Sequence, residues 1–555
     1  PVSGEHILIL AEAEDPDVLA EDALTVTVAE DELSGTSMEY GVGLYEASPT
    51  VRIVVAEGAS LNAAGVVDLI ASIRQTSGMV DVMAGVASNF PNFVIVKQPT
   101  AEILLHGSIT AAQGPIHALA STLVNFDCAE LLSYIPLSFA WGQARTTLLV
   151  DGDAKLTSGA GTALRTDSEV YISAVDKGSF PKALLSLSSA VAIAETETIV
   201  TDASSITAGG DVLLDARSRL ETEAASVAGP TDIARMKPKS GVFVAVSIAL
   251  GRTGVYVGNY GDGTGSTASV VSTGGTVRAE ADSLIRNRTY AISSPISVYV
   301  DEYGNPTFTQ QPTQKQSLRS MVSLTESVLG MRTGTSGTPA WALSKITGSS
   351  TLGSLFNKGV AETDPNQDVA RTQAMGALAL AVIDNDIQAL IDTAGVVSAA
   401  NGVQLHAFGE TTSQTRADGS LYNNSTIAVI PGFGKVQITK DPTNTAAGIA
   451  VNVTSFTHNA AARIEQGVVA AGKALAVAVE NRRVDSSAIA KSGHIPPAET
   501  AMLGGAITVH VITLNSKAEL APAAEYRLGE GADLTVASRV ADSRLETVAG
   551  GGGHR

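Results

Sequence analysis

The sequence predicts an all-β fold, a parallel β-helix in which similar coils stack along one axis. Three observations lead to this prediction. A short phrase of small and apolar residues recurs eight times, apolar residues alternate within each copy, and aromatic residues make up only 4% of the chain. A strand that is apolar on one face cannot bury that face alone, so repeated strands of this kind are expected to stack on one another.

The clearest copy is ITAGGDVLLDA, which runs from Ile206 to Ala216. Alternation places Val212, Leu214 and Ala216 on one face of the strand, and Asp211, Leu213 and Asp215 on the other. Stacking the next coil about 4.8 Å along the axis would bury the first set and pair the backbone groups. We therefore expect the first set to face an interior and the second to face solvent.

The other copies show the same order of an apolar residue, a small-residue turn and an alternating strand. Their reference positions are Leu61 with Val67, Val271 with Val277, Val397 with Val403, Val469 with Leu475, Leu528 with Leu534, and, with longer turns, the phrases from Ile109 and Leu156. Upstream of each turn lies a second short strand, preceded in most copies by a longer apolar run. Coils of about twenty residues would number twenty-odd and give a rod about 100 Å long. A β-sandwich is the alternative, but sandwiches usually have large aromatic core residues and no phrase repeated eight times.

Glycines mark the turn of the phrase. Gly209 and Gly210 match Gly274 and Gly275, and we expect all four to turn a corner with positive φ.

Four segments follow from the repeats. Residues 1–45 form an acidic N-terminal arm or cap, 46–285 and 376–555 form two parts of the β-helix, and 286–375 form an insertion with a loop and helical spacing. Twelve carboxylates and no Lys or Arg occur in residues 1–50. The insertions follow the same strand of the unit, so they should emerge on one side of the stack, where recognition is best placed.

Charge and composition exclude several classes of function. The net charge of −20 argues against nucleic acid and anionic membrane as partners. Cys128 is the single cysteine, so no intrachain disulfide or cysteine-rich metal site is available. No apolar span of eighteen residues occurs, so no membrane insertion is expected and the chain is expected to be soluble.

The candidate site residues are few. Asp151, Asp153 and Asp262 lie beside glycines as turn-bound calcium often requires, although Asp-Gly pairs are also plain turn formers. No other cofactor is expected. Carbohydrate-active β-helices need clustered carboxylates beside Lys or Arg, and Asp211 with Asp215 shows no adjacent bases in neighbouring phrases, so we predict solvated surface there and no enzymatic activity. Five histidines are scattered singly, which disfavours a zinc site: His106, His117, His406, His458 and His510.

The phrases GASLNAAGVVDLIAS and DASSITAGGDVLLDARS, with the unit GIAVNVTSFTHNAAARIEQGVVAAGKALAVAV, resemble the repeats of filamentous-haemagglutinin-like proteins and giant bacterial surface adhesins. The resemblance covers roughly residues 40–285 and 375–550 and implies a right-handed β-helix, export to the cell surface, and a role in adhesion or extracellular fibres. We accordingly expect an extracellular structural protein that associates with itself, with a host or neighbouring cell surface, or with polysaccharide. A carbohydrate-active enzyme or a polysaccharide-binding module is the alternative.

Overall fold

A computed structural model describes most of the chain. The described residues are 2–14, 24–27, 41–76, 92–127, 137–178, 185–228, 241–293 without 262 and 264, 298–300, 306–308, 372–419, 421–422, 428–430, 434–436, 445–492, 494–495 and 501–551.

All of the secondary structure in the described ranges is strand or turn. The first strands are β1 (Val2–Gly4), β2 (Ile7–Glu14), β3 (Leu24–Thr27), β4 (Gly41–Ala47), β5 (Thr50–Val55), β6 (Ser60–Ala63), β7 (Val67–Gln75), β8 (Asn92–Lys97), β9 (Thr100–Leu105), β10 (Ser108–Ala111), β11 (Ile116–Asp127), β12 (Leu137–Val150), β13 (Lys155–Ser158), β14 (Thr162–Gly178), β15 (Leu185–Val200), β16 (Ser205–Ala208) and β17 (Val212–Ala228). The remaining strands are β18 (Gly241–Gly258), β19 (Ser269–Ser272), β20 (Thr276–Ile292), β21 (Val298–Val300), β22 (Pro306–Phe308), β23 (Thr372–Ala399), β24 (Gly402–Asp418), β25 (Leu421–Tyr422), β26 (Ala428–Ile430), β27 (Gly434–Val436), β28 (Thr445–Ala471), β29 (Ala474–Ser492), β30 (His494–Ile495), β31 (Ala501–Leu520), β32 (Ala524–Leu528), β33 (Asp533–Val540) and β34 (Ser543–Gly551).

One coil consists of a long strand, a turn, a four-residue strand, a second turn and another long strand, as β15, β16 and β17 show. Equivalent strands of successive coils pair in parallel, so β14, β17 and β20 are neighbours in one sheet and β12, β15 and β18 in another. We call the sheet that contains β17 sheet B and the sheet that contains β15 and β16 sheet A. This arrangement confirms the parallel β-helix, while its right-handed sense stays a prediction.

The predicted size of the coil is wrong. Leu61, Ile109, Leu156 and Ile206 occupy equivalent positions in four successive coils, and cross-coil partners such as Arg52 and Glu102 are separated by 50 residues. In most coils the short upstream strand and the apolar run before it form one long strand, which doubles the coil. Sheet B stacks β2, β7, β11, β14, β17, β20, β24, β29 and then β33 with β34. The stack is therefore about 40 Å high and, with 17-residue strands, about 55 Å broad.

Proline explains why the long sheet A strand is split in two in the early coils and continuous in the later ones. Pro49 separates β4 from β5 and Pro99 separates β8 from β9, whereas β12, in the next coil, is continuous. Proline lacks an N–H for the ladder, so it interrupts pairing on one side. The carbonyl of Pro99 still accepts a hydrogen bond from the Arg145 N–H at 3.1 Å, so the coils stay in register.

The inward rows form the predicted apolar interior. Val212, Leu214 and Ala216 are fully buried, and the same holds for their counterparts in neighbouring coils. Two apolar clusters fill the space between the sheets, one near the four-residue strands and one towards the opposite edge.

A row of polar side chains lies between the two apolar clusters, and we call it the polar seam. Each of its side chains is at most 4% exposed: Thr122, Thr146, Ser168, Thr196, Ser218, Thr253, Ser283, Asn385, Thr411, His458 and Asn481. They satisfy one another across the coils, for example Ser283 Oγ to Asn385 Oδ1 at 2.7 Å and Asn385 Nδ2 to Thr411 Oγ1 at 2.8 Å. The seam meets the requirement that buried polar groups have partners.

His458 lies near the C-terminal end of the seam. Its Nε2 is 2.9 Å from Asn481 Oδ1 and its Nδ1 is 2.8 Å from Thr411 Oγ1. An amide oxygen can only accept, so Nε2–H donates to Asn481. Burial lowers the pKa of His458, which favours the neutral ring, and Nδ1 then accepts from the Thr411 hydroxyl. The ring is therefore neutral in this network.

The strand ends that the long connections join lie at one edge of the stack. The segments 77–91, 128–136, 179–184, 229–240, 294–371, 420–444 and 493–500 each join the end of a sheet B strand to the start of the next sheet A strand. This position agrees with the expectation that the insertions share one side. The helical pieces predicted within 286–375 lie outside the described residues, and the described parts there are β20, the antiparallel hairpin β21–β22 and the start of β23.

At the N-terminal end, β1 pairs with β6 and β2 pairs with β7 in parallel register. Residues 2–14 therefore belong to the stack, and the boundaries predicted for the four segments otherwise stay predictions. No helix long and apolar enough to cross a membrane occurs among the described residues.

Candidate functional site

Sheet B carries a charged outer face. The register places Arg165, Asp215 and Glu280 in one outward row, and Asp167, Arg217 and Asp282 in the next. Opposite charges are neighbours on adjacent coils at Arg165–Asp215 and on both sides of Arg217, which favours the stacked arrangement, whereas Asp215 and Glu280 are like charges.

Asp215 is the best-enclosed member of this face. Its carboxylate lies 3.0 Å from Arg217 Nε and 3.5 Å from Arg165 Nε, and the residue is only 1% exposed. The prediction that Asp215 lies on solvated surface without adjacent bases is therefore wrong. The two arginines, each about half exposed, cover it, and one of them comes from the preceding coil.

Burial also changes the acidity of this cluster. It raises the pKa of Asp167 to about 6, with the neighbouring charge of Glu169 adding to the effect and Arg217 opposing it. Burial raises the pKa of Asp215 as well, while Arg217 and Arg165 oppose the shift. A carboxyl group with a pKa near 6 beside an arginine can exchange protons near neutral pH, which is what general acid–base chemistry needs.

Further ion pairs extend the charged face towards the edge with the insertions. Arg286 lies 3.5 Å from both Glu221 and Glu410, and Arg219 lies 2.8 Å from Glu221. The Arg219 guanidinium also lies over the Tyr171 ring. These are exposed pairs, which contribute little stability individually.

A second polar cluster lies on the outer face of sheet A. Glu197 is 8% exposed, 3.1 Å from Arg252 Nε, and accepts a hydrogen bond from the Tyr260 hydroxyl. The Tyr260 ring meets the Tyr256 ring edge-on at 5.0 Å, and burial raises the pKa of Tyr256 to about 12. The Glu197 carboxylate is thus held in an ion pair with Arg252, while the hydroxyls of Tyr256 and Tyr260 stay protonated.

The predicted calcium ligands do not form a cluster among the described residues. Asp151 and Asp153 lie in the turn between β12 and β13, and Asp151 contacts His106 Nδ1. Asp262 lies outside the described residues. Where the chain is described, no group of three or more His, Cys, Asp or Glu side chains is placed to hold a metal. Calcium binding stays a prediction.

The scattered histidines occupy separate environments. His106 contacts Asp151, His117 lies 3.0 Å from Asp68 and His406 packs against Phe408. His458 lies in the polar seam, and His510 is hydrogen bonded to Ser486 and Thr547.

The turn glycines are required for a different reason from the one predicted. None of Gly209, Gly210, Gly274 and Gly275 has a positive φ. Instead the corners stack closely, because a Cβ on Gly209 would lie 2.2 Å from the Gly159 carbonyl oxygen and one on Gly274 would lie 2.5 Å from that of Gly209.

The sequence reasoning missed an apolar outer face on sheet A. One outward row runs through Val96, Trp141, Val191, Ile248 and Val382. Two further rows beside it include Phe139, Val246 and Leu380, and Leu187, Val244 and Leu378. The signal was present in SSAVAIA and FVAVSIAL, because continuous apolar runs are typical of strands buried on both faces.

Comparison of the chain with protein-family models, with curated proteins and with solved structures gives no match. The function is therefore inferred from the fold and its surfaces.

Proposed function

We propose that the chain is a structural β-helix unit of an extracellular cell-surface fibre or filament, with insertions that mediate adhesion or packing. The observation that carries the proposal is the parallel pairing of sheet B through nine levels, from β2 to β33 and β34, with a register shift between β24 and β29 at Gly409/Glu410. Every internal coil is hydrogen bonded to the coil on each side, and this continuous pairing suits a load-bearing structural element.

The interior supports the same function. Side chains at the centre of the stack are small, closely packed and buried, and the polar seam is satisfied internally. Such a body exposes few backbone amides to proteases and transmits load through many parallel hydrogen bonds.

Self-association is favoured by the last described coil. Leu534 and Val536 continue the inward rows of Leu475 and Val477, yet they are 53% and 45% exposed. A further coil, supplied by a second copy in this proposal, would bury them and pair the backbone groups of β33. The edge with the insertions remains available for a cell surface or a polysaccharide.

Electron microscopy of the purified chain at increasing concentration tests this proposal. We expect end-to-end polymers with an axial repeat of about 40–45 Å, because nine levels are spaced about 4.8 Å apart. Leu534→Asp with Val536→Lys should abolish them by placing charges at the stacking surface. Thr535→Lys, on the outward face of the same strand, is the matched control and should leave them intact. Monomers at every concentration, or polymers that tolerate the inward charges, would contradict the proposal.

A carbohydrate-active enzyme is the second candidate, favoured by the Asp167 and Asp215 carboxyls beside Arg217. The row geometry places Asp167 and Asp282 two coils, or about 10 Å, apart. Release of reducing ends or unsaturated products from a panel of acidic and neutral polysaccharides, abolished by Asp167→Asn, would support this candidate. No turnover across the panel would leave the structural function as the better proposal.

A further inference from the structure

The two ends of the described stack carry strand edges in matching places. At the C-terminal end, β31 pairs with β28, β32 with β28, and β33 with β29, each on one side only among the described strands. At the N-terminal end, β1 pairs with β6, β2 with β7, and β3, antiparallel, with β4. Strand edges of this kind are sites for pairing with another chain.

The register of sheet B relates the two ends position by position. Ile7 and Leu534 lie in one inward row that passes through every level of the sheet, and Ile9 and Val536 lie in the next. The register shift between β24 and β29 comes after these rows, and β2 and β33 are both eight residues long. If β2 of a second copy stacked on β33 as β33 stacks on β29, its Ile7 and Ile9 would cover the exposed Leu534 and Val536.

The other strands fit the same displacement. Val2 and Tyr526 lie in one row of the four-residue strands, so β1 of the second copy would stack on β32. In sheet A the row of Leu44 leads to Val509, and β3 occupies the level before β4, where the free edge of β31 would meet it. The level before β5 stays unfilled among the described strands. This contact should therefore be weaker than the boundary between two internal coils.

Charge favours the contact between unlike ends. Residues 1–50 contain twelve carboxylates and no Lys or Arg, so two N-terminal ends would repel each other. Glu12 and Arg539 are exposed and lie in the same outward row, so the displacement that stacks β2 on β33 places them about 4.8 Å apart. Arg539 has no ion pair among the described residues, whereas the other basic residues of its coil are paired with glutamates: Lys517, Arg527 and Arg544.

We propose that copies of this chain join head to tail, with β1, β2 and β3 of one copy docked on β32, β33 and β31 of the next. We call this contact the joint. It rests on the proposed fibre function and names the surfaces that would build the fibre. The two surfaces are different, so the contact is heterologous and can repeat along the axis instead of closing a pair. The resulting polymer is polar, with Glu12 of each copy beside Arg539 of its neighbour.

Disulfide trapping in the full chain tests the polarity and register of the joint. Cys128, the single cysteine, is first changed to serine. Leu10 and Ala537 face outward in one row, so Leu10→Cys with Ala537→Cys places two thiols one level apart, within the span of a disulfide. Oxidation should give a ladder of dimers, trimers and longer chains on a non-reducing gel. Ala537→Cys alone should give no linked dimer, and Leu8→Cys with Ala537→Cys, two residues out of register, should cross-link several-fold more slowly.

Charge reversal tests the joint without covalent trapping. Arg539→Glu should increase the critical concentration for polymer formation, measured by light scattering, by about ten-fold, because it places like charges across the joint. Adding Glu12→Arg in the same chain should restore polymer formation, which also shows that the single variant is not simply misfolded. Arg278→Glu is the matched control, because Arg278 is exposed on the same face of sheet B in the middle of the stack, and it should leave the critical concentration unchanged.

The outcomes separate the joint from the fibre itself. Wild-type polymers that ignore the reversed charges, or a linked dimer of Ala537→Cys alone, would overturn the joint and leave the fibre proposal standing. Wild-type chains that stay monomeric at every concentration would overturn both.

Discussion

Replacing Gly209 with alanine should destabilise the stack far more than the same change at its neighbour Gly210. A Cβ on Gly209 would lie 2.2 Å from the Gly159 carbonyl oxygen, whereas a relaxed carbon–oxygen contact is about 3.3 Å or more. The corner must therefore move by about 1 Å, and the group in the way is backbone, which cannot rotate aside. Overpacking of this kind costs about 1–3 kcal/mol, and we expect the upper end because the move also strains the hydrogen bond from Gly209 N–H to Ser158 O.

Gly210 is the matched control because it lies in the same turn and also has no positive φ. Its Cβ would lie 3.3 Å from the Ala160 carbonyl oxygen, which a shift of a few tenths of an ångström relieves. Alanine also restricts the unfolded chain, which stabilises by about 0.4–1 kcal/mol where the native conformation suits it. We expect Gly210→Ala to change the free energy of unfolding by less than about 0.5 kcal/mol.

Urea unfolding followed by circular dichroism would compare the two variants, and amide hydrogen exchange would locate the effect. Stacked repeats open locally, so exchange should accelerate at β13 and β16 in Gly209→Ala before it does elsewhere. Equal destabilisation by the two substitutions, or a neutral Gly209→Ala, would refute the view that close stacking of corners selects glycine there.

Two further predictions concern buried ionisable groups. Burial lowers the pKa of His458 below its ordinary 6.5, so its contribution to stability is present above pH 6.5 and is lost as pH falls below that value. His458→Gln should therefore reduce the loss of stability below pH 6.5 measured by urea unfolding, and an unchanged pH dependence in this variant would contradict the prediction. Arg217→Gln should cost about 1–3 kcal/mol because the buried Asp215 carboxylate loses its nearest cation. Asp153→Asn, at an exposed turn, should change the unfolding free energy by less than about 0.5 kcal/mol, and equal effects of the two substitutions would contradict the enclosed ion pair.

The alternation of apolar residues was enough to predict the fold class and the inward rows. Val212, Leu214 and Ala216 are buried as expected, because period-2 patterning depends only on local geometry. Register across coils was harder to predict. Val270 and not Val271 is the partner of Ile206, and Tyr526 and not Leu528 is the partner of Val469. The corners differ in length by a residue or two, so a single spacing of six could not align every copy.

Contacts between coils could not be predicted because they depend on the lengths of the connections. Arg165 and Asp215 meet only because one coil separates them, and insertions of unequal length hide that relation in the sequence. The apolar outer face of sheet A was in principle predictable. Runs that are apolar at both odd and even positions, such as FVAVSIAL, indicate burial on two faces, and the alternating strands of sheet B provided the contrast.

The polar seam bears on how nearly equivalent coils find a single register. Small apolar residues such as alanine and valine pack almost equally well when the adjacent coil is displaced by two residues along the strand. The apolar clusters therefore discriminate poorly between such registers. The hydroxyls and amides of the seam behave differently, because a slip of two residues would leave buried groups such as Asn385 and His458 without their partners. Each unpaired buried group costs about 1–3 kcal/mol, and the seam repeats this penalty on successive coils. The free energy that selects the register is therefore concentrated in a few polar side chains, while the apolar rows supply most of the stability.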